Sequence, residues 1–291
     1  MSYRLETTEY EKPMFNVDAA YILHLEGNGR LASVKAQLEA HHVAAVVHIL
    51  HNKGYKKVKK DLPSQAPAHD IVDAYKYIFR DAQTREYGNI LVLEDDFFFR
   101  DDVQPADVAA VNKFVAKNEK RRMVYHLGCI PAFMMPVDTK GNYLATCSGT
   151  HASVYTEKFR KYTLQYKKVI EDWDWFVTFA SLRYAYTKPL AYQLYPETDN
   201  SKNWMELFGF TRLVKIWIRV LKLDVQPEPG YSICYFVAKS VFYLGLIFAV
   251  ALGVALYNYE TTLRLLRGLF ESFKKHVVQP LSESIVSFRN K

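Results

Sequence analysis

The stretch NILVLEDDFFF (Asn89–Phe99) places three consecutive acids, Glu94, Asp95 and Asp96, between an aliphatic run and three phenylalanines. Ile90 to Leu93 is short, branched and apolar, the pattern of an inner strand of a parallel sheet. An unpaired charge buried in such a strand is costly, so the acids belong at its end or around something cationic. Glu94 and Asp96 are i and i+2, so their side chains leave on the same side. An acid-x-acid pair at a strand end suits a hard divalent ion, Mn²⁺ or Mg²⁺, which prefers oxygen ligands and leaves positions open for phosphate. A solvated acidic turn is the competing reading.

Outward from this strand the pattern alternates. AYILHL (Ala20–Leu25) reads as a first strand, and LASVKAQLEAHH from Leu31 has helical period. VAAVVHIL (Val43–Leu50) is a second strand. HDIVDAYKYIFR (His69–Arg80) is a helix with Ile71, Tyr75 and Ile78 on one face. Helix is expected again from Pro105 to Lys120, and strand from Met123 to Leu127. The order predicts an α/β fold, a mostly parallel open sheet flanked by helices. In such sheets ligands bind beyond the carboxyl ends of the strands, where Glu94 and Asp96 fall. GNG at Gly27–Gly29 is too short for a Walker or dinucleotide fingerprint. A bound metal is then the expected means of holding a diphosphate.

The 291 residues suffice for one large domain or two small ones, and the 24% charged and 49% hydrophobic fractions are ordinary for a globular chain. The net charge of +7 is unevenly placed. Residues 1–207 hold 27 Lys+Arg against 26 Asp+Glu, and residues 208–291 hold 11 against 5. The main domain therefore lacks the basicity of a nucleic-acid binder. GYKKVKKD (Gly54–Asp61) is the local exception, read as a solvated loop or edge, or else as a phosphate or membrane contact. Cys129, Cys147 and Cys234 have no metal spacing and no CxxC, which suits a reducing compartment. The N-terminal residues carry no apolar run of signal-peptide type, so a cytosolic catalytic domain is expected.

The tail reads as a membrane device. Tyr231 to Tyr257 is apolar apart from Lys239 and long enough to span a hydrocarbon core. Before it, Arg212, Lys215, Arg219 and Lys222 step by 3, 4 and 3 along one helical face, opposite Phe210, Leu213, Val214, Trp217, Val220 and Leu221. That is the pattern of an interfacial helix on an anionic leaflet, or of an amphipathic helix packed on its own domain. PEPG (Pro227–Gly230) breaks it. Beyond the span, Leu263, Leu266, Phe270 and Phe273 alternate with Arg264, Arg267, Lys274 and Lys275. The expected organisation is a catalytic domain (1–207), a basic amphipathic helix and linker (208–230), a membrane span (231–257) and a basic amphipathic tail (258–291).

The order of the blocks resembles glycosyltransferase family 25, the lipopolysaccharide and procollagen galactosyltransferase type with the GT-A fold, from about Ala20 to Trp204. YILHLEGNGRLASVKAQL is similar to that family's opening strand, arginine and helix. PAHDIVDAYKYI resembles its second helix, which begins near a Ser-His pair, with Ala68 here in place of the serine. NILVLEDDFFF matches the metal-site strand, and VYHLG (Val124–Gly128) a later one. GTHASVYTEKFRKY (Gly149–Tyr162) looks like the acceptor-side strand and helix. EDWDWF (Glu171–Phe176) resembles the acidic block that holds the base, and PLAYQLYPETDNS (Pro189–Ser201) the closing Gln…Ser segment.

The resemblance implies a Mn²⁺- or Mg²⁺-dependent transferase that moves a sugar, galactose favoured, from a UDP-linked donor to a hydroxyl on a glycan, protein or lipid, with inversion. Asp96 would be the direct metal ligand. Glu94 would contact the nucleotide ribose or reach the metal through water, and Asp95 would border the donor or only shape the turn. Arg30 would meet the diphosphate, or is a surface arginine. Gln193 would line the donor site. Asp174 or Asp172 would be the base, with Trp173 and Trp175 as stacking faces for a sugar; the competing reading of EDWDWF is a helix start with its tryptophans in the core. His126 and His151 are metal or acceptor contacts, or structural histidines. Two other functions compete with transfer: a membrane scaffold that keeps the fold, and a two-metal phosphoesterase built on Glu94, Asp95 and Asp96.

Overall fold

The computed structural model describes residues 2–194 and 210–278. Five of the seven strands in its main sheet run the same way. β2 (Ala19–Leu25), β3 (Val46–Asn52) and β4 (Ile90–Glu94) pair in parallel, with β2 in the middle. β1 (Tyr3–Glu9) closes one edge antiparallel to β3. On the other side β7 (Asn142–Tyr155) runs antiparallel to β4, and β6 (Met123–Pro136) antiparallel to β7. β8 (Leu182–Tyr186) then lies parallel to β6, giving the order β1-β3-β2-β4-β7-β6-β8. The fold is α/β, as the alternation of sequence pattern predicts.

The helices cover both faces. α1 (Leu31–His41) and α3 (Pro105–Asn118) press Val34, Leu38, Val111 and Phe114 onto Ile22, Leu91 and Leu93. α2 (Pro67–Thr84), α4 (Glu157–Gln165) and α5 (Trp173–Ala180) press Tyr75, Phe79, Phe159 and Trp173 onto Tyr21, Val92 and Tyr155. The strand residues alternate between these two clusters, as the pleat requires. Both α2 and α3 start on a proline, whose missing N–H is one the first turn leaves free anyway. α3 adds a reciprocal cap between Gln104 and Asp107.

A short second sheet stands at the carboxyl end of β4. The chain turns at Asp95–Asp96 into β5 (Phe97–Phe99), which pairs antiparallel with β9 (Ala191–Gln193) and sets Gln193 opposite Phe97. β9 crosses close above β6. A Cβ on Gly128 would lie 1.9 Å from the Ala191 carbonyl oxygen, so only glycine fits there. The Leu190 N–H donates to the Leu127 carbonyl at 2.7 Å beside this crossing.

Contacts divide the chain into a unit Met1–Lys239 and a unit Ser240–Lys291. The first takes in α6 (Phe210–Val220) and the first turns of α7 (Gly230–Phe273), which the sequence sets apart. Ile218, Leu221, Leu223, Tyr231, Tyr235 and Ala238 join one apolar cluster with Cys129, Met134 and Tyr192. α6 ends in a C-terminal cap. Lys222 takes φ 56°, the Leu223 N–H donates to the Ile218 carbonyl at 2.9 Å, and the Lys222 N–H to Arg219 at 3.1 Å. Lys222 thus sits past the helix end and leaves the basic stripe that the spacing assigns to it. Lys215 and Arg219 stay exposed on the helix beside Ile216, Trp217 and Val220. The side chains of residues 210–214 lie outside the described residues. In the second unit, Leu244, Ile247, Phe248 and Val250 are exposed, and among the described residues one helix is long and apolar enough to cross a membrane.

Trp173 is a core residue, not a sugar platform. Its ring stacks on Tyr75 with centroids 4.3 Å apart and is 3% exposed. Trp173→Ala should cost about 3–5 kcal/mol, the range for a buried aromatic, and Trp173→Phe much less. Urea denaturation of the two variants checks the difference.

Candidate active site

Asp95 faces inward from the turn after β4. Its Oδ2 accepts from His24 Nδ1 at 2.9 Å, the Leu25 N–H at 2.8 Å and Asn28 Nδ2 at 2.6 Å. Its Oδ1 accepts from Arg30 at 3.0 Å. Burial alone would raise this carboxyl. The donors outweigh burial and hold it below the usual range, His24 contributing most among them. Asp95 is therefore an anchor that ties the β4–β5 turn to the loop between β2 and α1. The glycines of GNG adopt positive φ, and Asn28 between them reaches Asp95.

With Asp95 pointing into this pocket, Glu94 and Asp96 are left for the site. Arg30 donates to Asp96 Oδ2 at 2.9 Å, so its guanidinium bridges Asp95 and Asp96. Asp96 Oδ1 is buried with no hydrogen-bond partner. Burial raises Asp96, while the Arg30 charge and the Gln193 side chain oppose that shift. Glu94 Oε1 accepts from Thr150 Oγ1 at 3.0 Å and from the Tyr75 hydroxyl at 3.1 Å. Its carboxyl is pushed up to about 8 by burial first, then by the charges of Asp96 and Asp174.

Asp174 joins the cluster from α5. It accepts the Gly149 N–H at 3.2 Å, and burial, followed by the charge of Asp172, raises its carboxyl to about 6. Asp172 is the N-cap of α5, its Oδ1 accepting the Trp175 N–H at 2.9 Å. The structure thus gathers Glu94, Asp96, Asp174, Arg30 and Gln193 at one end of the sheet and sets Asp172 at the helix start behind them. The last residue of the sequence resemblance's closing segment, Ser201, lies outside the described residues. Trp175 stacks on Phe179 at 5.8 Å, and Phe179 is 79% exposed.

The histidines named by the sequence are interior. His126 Nδ1 meets Ser153 Oγ at 2.9 Å. His151 is fully buried, with neither ring nitrogen in a hydrogen bond of good geometry, and burial pushes it down to about 3, so it is neutral at physiological pH. His69, at the start of α2, is held by Ser64 at 2.6 Å and Glu171 at 3.1 Å. Ser64 thus supplies the hydroxyl that position 68 lacks. Of the lysine-rich stretch, Lys60 is buried rather than solvated, paired with Asp70 and bonded to Tyr3 and Asn52.

His24, Asn28, Tyr75 and Thr150 also serve the site, and sequence reasoning assigned none of them a role. Only Asn28 left a signal, between the two glycines of the first strand–helix loop. The others act through partners 19 to 71 positions away.

Among the described residues no three His, Cys, Asp or Glu side chains converge to hold a metal ion by themselves. The donor set nonetheless fits a hard cation whose remaining positions are filled by a ligand's oxygens. Two carboxylates share the site with a third, each raised by burial or by the others' charge, and one buried carboxylate oxygen has no donor.

No protein-family model matches the chain, and no curated protein matches it. Among solved structures it is similar to A197 from STIV, with 12% identity and TM-score 0.36 over 62% of this chain and 86% of that one. It is also similar to a putative glucose-1-phosphate thymidylyltransferase from Bacillus anthracis in complex with a sucrose, with 12% identity and TM-score 0.30 over 73% of this chain and 79% of that one.

The raised Glu94 carboxyl has a consequence for stability. The folded chain keeps this proton up to about pH 8, whereas an unfolded glutamate loses it near about 4.3. Stability from this group is therefore complete below the unfolded value and is lost as pH rises through that window. Glu94→Gln should raise the melting temperature of chelator-treated protein at pH 8 by a few degrees and leave it unchanged near pH 4, read by thermal denaturation at both values.

Proposed function

We propose that this chain is a membrane-anchored glycosyltransferase that uses a nucleotide-sugar donor and a divalent cation. The observation that carries the reading is that the charges of Asp96 and Asp174 act on Glu94 at the carboxyl end of β4, where Arg30 and Gln193 meet Asp96. A UDP-linked donor, galactose favoured, follows from the family resemblance of the sequence blocks. Asp96 and Glu94 would hold Mn²⁺ or Mg²⁺, which when bound offsets charge on the leaving diphosphate. Arg30, fixed by two aspartates, supplies a second cation at the same place. Asp174 is the base, since a carboxyl raised to about 6 is ionised at neutral pH yet basic enough to take a proton from an acceptor hydroxyl. The Gly149 N–H holds its other face, and Asp172 keeps α5 in place by capping it.

The acceptor side has an aromatic edge. On α5, Trp173, Phe176 and Val177 face the core, Asp174 and Thr178 form the next edge, and Trp175 and Phe179 the one after. A pyranose ring stacked on Trp175 would therefore lie beside Asp174. The acceptor is a hydroxyl on a glycan, protein or lipid.

α7 provides the membrane anchor, and α6 lies on the lipid surface. The exposed Trp217, Ile216 and Val220 next to Lys215 and Arg219 combine an apolar insert with cations for an anionic leaflet. With Trp217 in the interface, brominated anionic lipid in nanodiscs should quench its fluorescence. That quenching should vanish in Trp217→Phe, weaken in Lys215→Glu/Arg219→Glu, and be unaffected by the charge reversal if α6 does not touch lipid.

The decisive test is thermal stability of the full chain in detergent with a panel of nucleotide sugars, with and without Mn²⁺. A donor at 100 times its Kd should add about 2.7 kcal/mol. The shift should need Mn²⁺ and disappear in Asp96→Asn. Asp174→Asn should keep the shift but lower transfer by about 100-fold or more, the scale of general-base catalysis. A folded chain with no shift for any donor would leave a membrane scaffold as the better reading. Hydrolysis of a phosphodiester without a sugar donor would point to a phosphoesterase.

A further inference from the structure

We infer that Tyr231, in the first turn of the apolar helix α7, is a positioning residue of the donor site, so that the start of the membrane helix is a working part of the catalytic unit. The inference rests on the glycosyltransferase reading of the site. The Tyr231 hydroxyl accepts the Gln193 N–H at 3.1 Å and donates to the Gln193 carbonyl at 2.9 Å. Both backbone groups of one residue are thus clasped by a single side chain. Gln193 ends β9 directly opposite Phe97, the residue after Asp96.

The clasp is rigid at both ends. Tyr231 is fully buried, its ring edge-on to Tyr192 at 5.0 Å and to His151 at 6.5 Å. Glu228, just before α7, accepts from the Tyr192 hydroxyl at 2.5 Å and from Arg100 at 2.7 Å. Tyr192 is the middle residue of β9 and Arg100 follows β5, so the segment before the helix grips both strands of the small sheet. Beneath them Gly128 admits the Ala191 carbonyl at a distance no side chain allows. With β9 pressed from below by β6 and held from the side by Tyr231, Gln193 has one position, against the turn that carries Asp96.

A purely structural role would predict that any loss of packing in this helix start acts alike. Tyr235, one turn on, is almost as buried, and the partner of its hydroxyl is Cys129 Sγ on β6 at 3.5 Å, not a backbone group of β9. Tyr231→Phe and Tyr235→Phe in the full chain therefore separate positioning from packing. The measurements are titration calorimetry with UDP and Mn²⁺, donor-hydrolysis kinetics, and hydrogen exchange of residues 94–97 and 191–193. Tyr231→Phe should weaken UDP binding and raise the donor KM by about tenfold, of the order of one to two lost hydrogen bonds, with little change in kcat. It should also speed exchange at both segments. Tyr235→Phe should leave UDP affinity and exchange at 94–97 as in the wild type. Equal effects of the two variants, or unchanged exchange at 94–97 in Tyr231→Phe, would overturn the inference. Absence of UDP binding in the wild type would overturn the donor reading instead, and the exchange data would then still decide whether Tyr231 sets the turn.

Discussion

The site depends on one buried carboxylate that does no chemistry. Asp95 accepts from four groups, two at the end of β2 and two on the loop that leads to α1, and no residue without a second acceptor oxygen could satisfy them all. Removing it would leave the His24 Nδ1–H, the Leu25 N–H and the Asn28 amide without their partner in the interior, and losses of that kind are larger than the net worth of the bonds themselves. Asp95 is committed to this anchor, and Arg30 ties the neighbouring Asp96 to it. The acidic triplet therefore divides into one carboxylate held low by its donors and two raised by burial.

That division leaves an imbalance. Asp95 is stabilised as an anion, while Glu94 and Asp174 are raised by burial and by charges of the same sign. The fold tolerates this because the surroundings are over-determined. Tyr75, which donates to Glu94, is fixed by its stack on Trp173, and Trp173 is fixed by Asp172 capping its helix. One aromatic stack thus carries the geometry of both Glu94 and Asp174. Stability is given up at the carboxylates and recovered in the layer beneath them.

The sequence made the strand, its acidic end and the α/β order legible because those depend on local period. Ile90–Leu93 is a strand by pattern and in fact, and Pro67 and Pro105 mark helix starts. The role of Asp95 was not legible, since its partners lie up to 71 positions away. Nor was the burial of Lys60, which sits in a run of exposed lysines and is distinguished by partners elsewhere in the chain, Asp70 ten positions on, Asn52 and Tyr3. The basic stripe before the span failed at its last member for a backbone reason. A 3.6-residue period assumes the helix continues, and the left-handed residue at Lys222 ends it first.

The apolar tail shows the limit of reading one property at a time. Hydropathy marks Tyr231 to Tyr257 as a single span, but Tyr231, Tyr235 and Ala238 are fully or almost fully buried in the first compact unit, while Leu244 to Val250 are exposed. Their spacings of four and three put these three residues on one stripe of the helix, and two of them are tyrosines, whose hydroxyls need partners when buried. A tyrosine at the start of a span is ordinarily credited to the lipid interface. Here its hydroxyl is taken up by the backbone of β9, which a lipid headgroup could not then engage. The same aromatic residue type serves either purpose, and only the partner of its polar atom tells them apart. For this chain that partner is Gln193, so the first compact unit extends into α7 as far as Lys239.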